Sequence, residues 1–194
     1  AGNAAVVGTG SWTVIAGTGI VTTPSSEISP VSNLSVGTNT FVWTISNGSC
    51  PSSADTVNII ISPLPTIANA GPDQNLCNVT SSVFAGNAAV VGTGSWTVIA
   101  GTGIITVPTS ETSAVTNLSL GTNTFIWTIT SGSCPPSTDT VNIFIYALPT
   151  AALAGPDQNL CGDSTTLAGN TPTVGTGTWT LVSGTGVIAN INSP

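Results

Sequence analysis

The sequence predicts an all-β chain made of small antiparallel β-sandwich domains in tandem. Three observations carry that expectation. First, "AGNAAVVGTGSWTVIAGTG" at Ala1 returns unchanged at Ala85, and a looser copy, "AGNTPTVGTGTWTLVSGTG", starts at Ala168. Second, stretches such as "TNTFIWTIT" alternate apolar and polar residues with the period of two that marks a half-buried strand. Third, Thr, Ser, Asn, Val and Ile dominate, Gly and Pro punctuate them, and no window sustains a helical period.

The repeat sets the domain organisation. Trp12 recurs as Trp96, Glu27 as Glu111, Trp43 as Trp127, Cys50 as Cys134, Asp55 as Asp139, Asp73 as Asp157 and Cys77 as Cys161, each 84 residues on. The third copy slips by one residue near Phe84, which puts Trp179 opposite Trp96. This interval is too long for a solenoid turn and fits one small domain. Prolines in "SPLPT" (Ser62 to Thr66) and "YALPT" (Tyr146 to Thr150) remove ladder donors and mark the boundaries. The expected domains are 1–64, lacking its first strand, 65–148, complete, and 149–194, partial. With no Met in the sequence, Ala1 is not expected to be an encoded start, and the chain reads as part of something longer.

Within the complete repeat, "DQNLC" and "SSVFAGN" supply the first two strands. "GSWTVIAGTG" gives a third, with Trp96 and Val98 expected on one face and Gly-rich turns at its ends. "TSAVTNLSLG" adds a fourth. In "TNTFIWTIT", Phe125, Trp127 and Ile129 share the inward face, and in "DTVNIFIY" Val141, Ile143 and Ile145 do the same. The two are joined by "SGSCPPST", whose counterpart contains the hairpin signal Asn47-Gly48. Six or seven short strands with regular turns make a sandwich.

Composition narrows the function. Lys+Arg is 0, His is 0 and Asp+Glu is 7, for a net charge of -7. A chain without cations cannot displace counterions from phosphates, so nucleic acid is excluded as a partner, and anionic membrane surfaces are unattractive. The commonest general bases, the Schiff-base amine and the best zinc ligand are also absent. We expect no enzyme, no cofactor and no metal. A hydrophobic fraction of 40% and a mean hydropathy of +0.43 speak against disorder. No apolar run approaches the ~18 residues of a membrane span, so no direct membrane insertion is expected. The missing Lys and Arg also leave trypsin-like proteases nothing to cut, which suits an exposed chain, but they remove the usual edge-strand guard.

The strings "AGPDQNLC", "TTLAGN", "GTGTWTLVSGTG" and "NLSVGTNTFVWTISNGSCP", with "DTVNI", give the chain a resemblance along essentially its whole length. It resembles the PKD-like, immunoglobulin-like tandem repeats of giant Bacteroidetes cell-surface proteins, including gliding-motility adhesins and other type IX secretion cargo. "NLSLGTNTFIW" resembles the E-to-F strand corner of immunoglobulin-like and fibronectin-type-III-like domains, without the usual corner tyrosine. The resemblance implies secretion to the bacterial cell surface as structural stalk or spacer repeats of a very large adhesin. The expected partners are neighbouring repeats of the same chain, with copies of itself or surface polysaccharide beyond them. The alternative is a subunit of a self-assembling extracellular filament, sheath or surface layer.

Several residues are candidates for chemistry. Four cysteines without histidine suggest disulfides in an oxidising compartment, and the complete repeat holds one of each kind, so Cys77 and Cys134 are expected to pair. That bond would close a loop of ~57 residues, worth about 3–4 kcal/mol by chain entropy. Cys50 and Cys161 would then find partners outside these residues; the alternative is four free thiols packed as small hydrophobes. Asp55-Thr56-Val57, Asp139-Thr140-Val141 and Asp163-Ser164-Thr165 resemble the bacterial Asp-Ser/Thr O-glycosylation pattern, which makes Thr56, Thr140 and Ser164 candidates. Asn33, Asn47, Asn78 and Asn117 fit the N-glycan sequon. Asp73 or Asp157 beside the proline linkers could join a calcium site, but no clustered acidic loop exists, and turn-forming Asp is the stronger reading. The "GTG" glycines read as turns and not a phosphate loop, because β-branched residues follow where a helix would be needed. Trp12, Trp43 and Trp96 would form a sugar platform only if exposed, and core packing is expected instead.

Overall fold

The computed structural model describes residues 1–194 and contains strands, turns and no helix. In chain order the strands are β1 (Thr9–Ala16), β2 (Ile20–Val21), β3 (Val31–Ser32), β4 (Gly37–Ser46), β5 (Ser53–Ile61), β6 (Gln74–Cys77), β7 (Ser82–Val83), β8 (Thr93–Ala100), β9 (Ile104–Ile105), β10 (Ala114–Thr116), β11 (Gly121–Thr130) and β12 (Ser137–Tyr146). They form sheets ordered β1-β4-β5, β2-β3, β6-β12-β11-β8 and β7-β10-β9. This is the all-β, sandwich-like layout that strand alternation predicts. One pairing departs from the antiparallel expectation: β6 runs parallel to β12, with Gln74 opposite Ile143 and Cys77 opposite Tyr146.

By contacts the chain divides into two compact units. The first holds Ala1–Asn69 with Asn87–Ser95 and Trp127–Asp139. Here β1 pairs antiparallel with β4, Trp12 opposite Trp43, and a bulge falls between Val14 and Ala16. β4 pairs with β5 from Gly37↔Ile61 to Ile45↔Ser53. Asn47 and Gly48 make the turn between them, with Gly48 at φ 56° and the Cys50 N–H donating to Asn47 O at 3.1 Å. The repeated "GTG" has two distinct jobs. Gly8 and Gly92 lie at φ 89° and 98°, a region that costs other residues strain. Gly10 and Gly94 lie directly beneath the indoles of Trp43 and Trp127, where a Cβ would collide with the ring.

The second unit holds Ala70–Gly86, Trp96–Ile126 and Thr140–Pro194. Its core is Phe84, Trp96, Val115, Leu118, Phe125, Val141, Ile143 and Ile145, all buried. Phe84 stacks on Trp96 at 4.0 Å and meets Phe125 edge-on at 5.0 Å. Alternation fails in one place: Trp96 is buried, but Val98, expected beside it, is 36% exposed.

Residues 149–194 form no strands but keep part of the same frame. Thr150 N–H donates to Val174 O as Thr66 N–H does to Val91 O, and Trp179 N–H donates to Ile191 O as Trp96 N–H does to Pro108 O. The counterparts of β11 and β12 are not among these residues, so the ladders that would define strands here have no partner.

Candidate functional site

Two features stand out: a buried polar corner common to the first and second repeats, and an open groove in the first. The corner is built on Asn39 and Asn123, both fully buried. Asn123 Oδ1 accepts from Thr102 N–H (3.0 Å), Ser119 N–H (3.3 Å) and Ser119 Oγ (3.0 Å). Its Nδ2 donates to the carbonyls of Ser119 (2.9 Å), Gly121 (3.3 Å) and Ile143 (3.3 Å). Asn39 repeats the set with Thr18, Ser35, Gly37 and Ile59. A short amide thus ties three backbone segments together. Sequence reading missed both asparagines; the signal was their recurrence in "GTNTF", directly before the aromatic strand.

The groove arises from unequal cover over nearly equal sequence. β6 and Phe84 close the second repeat, and nothing in residues 1–64 corresponds to them. Val141 is 1% exposed, whereas its counterpart Val57 is 43% exposed. Trp12, Val31 and Ile59 are half-buried where Trp96, Val115 and Ile143 are buried. The result is a groove of about 110 Å³ among Trp12, Val21, Val31, Phe41, Val57 and Ile59, with β5 as the edge strand beside it.

The expected Cys77–Cys134 disulfide does not form, and all four cysteines are free thiols. Strand direction is the reason. Cys77 lies opposite Tyr146, at the far end of β12, while Cys134 precedes the first residue of that strand. At ~3.3 Å per residue, β12 alone separates the two positions by about 30 Å, far beyond the roughly 7 Å Cα limit for a bridge. Cys134 instead points its Sγ at Ser62 O, 3.3 Å away.

The other candidates fall as follows. Asp73 is engaged within its own domain: Oδ1 accepts from the Asn142 N–H at 2.8 Å and Oδ2 from Asn142 Nδ2 at 3.3 Å. No three Cys, Asp or Glu side chains come together as a metal site. Trp43 and Trp96 are buried and Trp12 is half-buried, its indole N–H donating to Ser26 O at 3.1 Å. Thr56, Thr140 and Ser164 are exposed, as are Asn33, Asn47, Asn78 and Asn117. Three of those asparagines take positive φ, at 53°, 50° and 57° for Asn33, Asn78 and Asn117, which marks them as turn formers. No helix is long and apolar enough to cross a membrane.

No protein family and no curated protein matches the sequence. Among solved structures, the chain is similar to the PKD domain from KIAA 1837 protein, with 24% identity over 47% of this chain and 92% of that one, at a TM-score of 0.37. It is also similar to the tandem Ig repeats of Dlar, with 11% identity over 72% and 82% of the two chains and a TM-score of 0.35. A third is domains 4 and 5 of the S-layer protein SbsC, with 13% identity over 70% of each chain and a TM-score of 0.26.

Proposed function

We propose that this chain is a run of structural spacer domains from a large secreted cell-surface adhesin, with each repeat partnered first by its neighbours. One observation carries the reading. The same internal frame is rebuilt in each successive repeat: Trp12, Trp96 and Trp179 donate their indole N–H to the carbonyls of Ser26, Ser110 and Ser193, at 3.1, 3.1 and 2.7 Å. Repetition of a whole frame adds length while leaving each domain with its own core. The resemblance to Bacteroidetes surface repeats supports placement outside the cell, and exposed Thr56, Thr140 and Ser164 suit glycan attachment there.

Single-molecule extension of a concatemer of complete repeats tests the reading. Unfolding 84 residues at ~3.5 Å each releases about 29 nm, less the few nanometres the folded domain already spans. A spacer gives a sawtooth of equal steps near 25 nm, each domain failing by itself. A featureless extension at low force, or the loss of several repeats in one step, refutes independent load-bearing domains.

A further inference from the structure

We propose that Asn87 and Asn170, the asparagines of two "AGN" stretches, clamp the linkers that lead into their repeats. The inter-repeat linkers are then folded straps, shut against proteolysis, and not free tethers. The straps deepen the spacer reading and rest on it for their use. Their test reads cleavage of the linkers, whereas the extension steps read the domains, so either can fail alone.

The first linker is tied down along its length. Asn87 Oδ1 accepts from the Asn69 N–H at 2.7 Å, and Asn87 Nδ2 donates to Ile67 O at 2.9 Å. The Asn87 N–H donates to Asn69 O, also at 2.9 Å. Thr66 N–H donates to Val91 O at 3.0 Å, and Thr66 Oγ1 accepts from the Val91 N–H at 2.8 Å. Ala68 N–H donates to Ser137 Oγ at 2.9 Å. Where the linker starts, Ser62 O accepts from the Cys134 thiol at 3.3 Å. Ala68 and Ala70 are buried.

The second linker is tied in the same way by different letters. Asn170 Oδ1 accepts from the Leu153 N–H at 2.8 Å, Nδ2 donates to Ala151 O at 3.1 Å, and the Asn170 N–H donates to Leu153 O at 3.1 Å. Thr150 Oγ1 accepts from the N–H groups of Thr173 and Val174 at 2.9 and 3.0 Å, and Thr150 N–H donates to Val174 O at 3.0 Å. Ile67 and Asn69 of the first linker are Ala151 and Leu153 in the second. The asparagines bind only backbone there, so the residues between threonine and clamp are free to change. An asparagine amide offers one acceptor and a donor side by side, and an extended segment presents a matching N–H and carbonyl along one edge. The clamp thus takes the place of a neighbouring strand.

What the linkers expose gives the clamp its use. Leu64 and Ile67 are 75% and 82% exposed, and Leu153 is exposed too. The sequence holds no Lys or Arg, so trypsin-like enzymes find no site, but proteases that cut before large apolar residues are offered the Thr66–Ile67 and Ala152–Leu153 bonds. Such an enzyme needs the backbone groups that Asn87 and Asn170 already hold. Cleavage therefore waits on local opening, and its rate follows the open fraction.

Limited digestion of the 194-residue chain with thermolysin, its products mapped by mass spectrometry, tests the clamp. Both linkers should be cut far more slowly than free peptides with the sequences of residues 60–72 and 144–156. Asn87→Ala removes two side-chain bonds and should speed cutting at Thr66–Ile67 by roughly 30-fold, with Ala152–Leu153 unchanged. Asn170→Ala should do the reverse. Asn170 lies among residues that form no strands, so its variant decides the matter even if Asn87→Ala does not fold. Linkers cut as fast as the free peptides overturn the proposal. So does an Asn170→Ala chain whose Ala152–Leu153 bond keeps its slow rate, or whose cleavage quickens equally at both linkers.

Discussion

Replacing Asn123 by Ala tests whether the buried amide corner, and not the aromatic core alone, holds a repeat together. The substitution removes the acceptor of two backbone N–H groups, on Thr102 and Ser119, and the donor to the carbonyls of Ser119, Gly121 and Ile143. Water can reach some of these groups, but the Ile143 carbonyl bond is buried. At about 1 kcal/mol for each stranded N–H and for that carbonyl, plus a small cavity, the cost is about 3–4 kcal/mol. A repeat of this size has a total stability of roughly 4–13 kcal/mol, and each kcal/mol moves its midpoint by about 4–8 °C. Calorimetry should therefore find the transition of the second repeat lowered by roughly 12–30 °C. Residue-resolved amide exchange should accelerate at Thr102 and Ser119 first.

Asn123→Asp sharpens the test. It keeps an acceptor but turns a carboxylate oxygen toward three carbonyls, which raises the folded-state pKa of the new acid. Its penalty is absent below the unfolded pKa of about 3.9 and grows as pH rises through it. A cost under about 1 kcal/mol for the alanine variant, or unchanged exchange at Thr102 and Ser119, would show that the corner is incidental.

Gly94→Ala places a Cβ inside the Trp127 indole, and the forced shift should cost about 1–3 kcal/mol by denaturant titration, while Gly121→Ala, with open space around it, should cost only its φ strain. Phe84→Ala removes the ring stacked on Trp96 and should cost about 3–5 kcal/mol, leaving Trp96 as wet as Trp12, with a red-shifted emission against a Trp12→Phe background. Cys77→Ser and Cys134→Ser should each change the stability of the single chain by under about 0.5 kcal/mol, and thiol titration of the fresh chain should count four groups. Intact-mass and site-mapping measurements on secreted material should find sugar at Thr56, Thr140 or Ser164, and unmodified serines and threonines there would remove the glycan reading.

Much of the fold was legible because it depends on local rules. Alternation in β11 and β12 named Phe125, Trp127, Ile129, Val141, Ile143 and Ile145 as inward, and all six are buried. The Asn47-Gly48 turn followed from its own dipeptide. What escaped was set by partners distant in sequence. The parallel addition of β6 cannot be read from "DQNLC", since strand direction is fixed only by where the chain has already gone. That one unread direction misplaced the disulfide, because it carries Cys77 to the opposite end of β12 from Cys134. Asn123 escaped for a related reason: an asparagine beside glycine and threonine reads as turn surface until three segments are seen to close over it.

The two identical stretches make the same argument from inside one chain. Ala1 to Gly19 and Ala85 to Gly103 share every residue, and both hold their tryptophan by the same bond to a serine carbonyl. Yet Trp96 is stacked under Phe84 while Trp12 tilts against Trp43 at 5.1 Å, half open to solvent. Local sequence decides the strand, the turn and the seat under the indole, because those depend on residues within a few positions. Whether the seat is closed depends on a segment that precedes it: one short parallel strand, one turn and one large side chain.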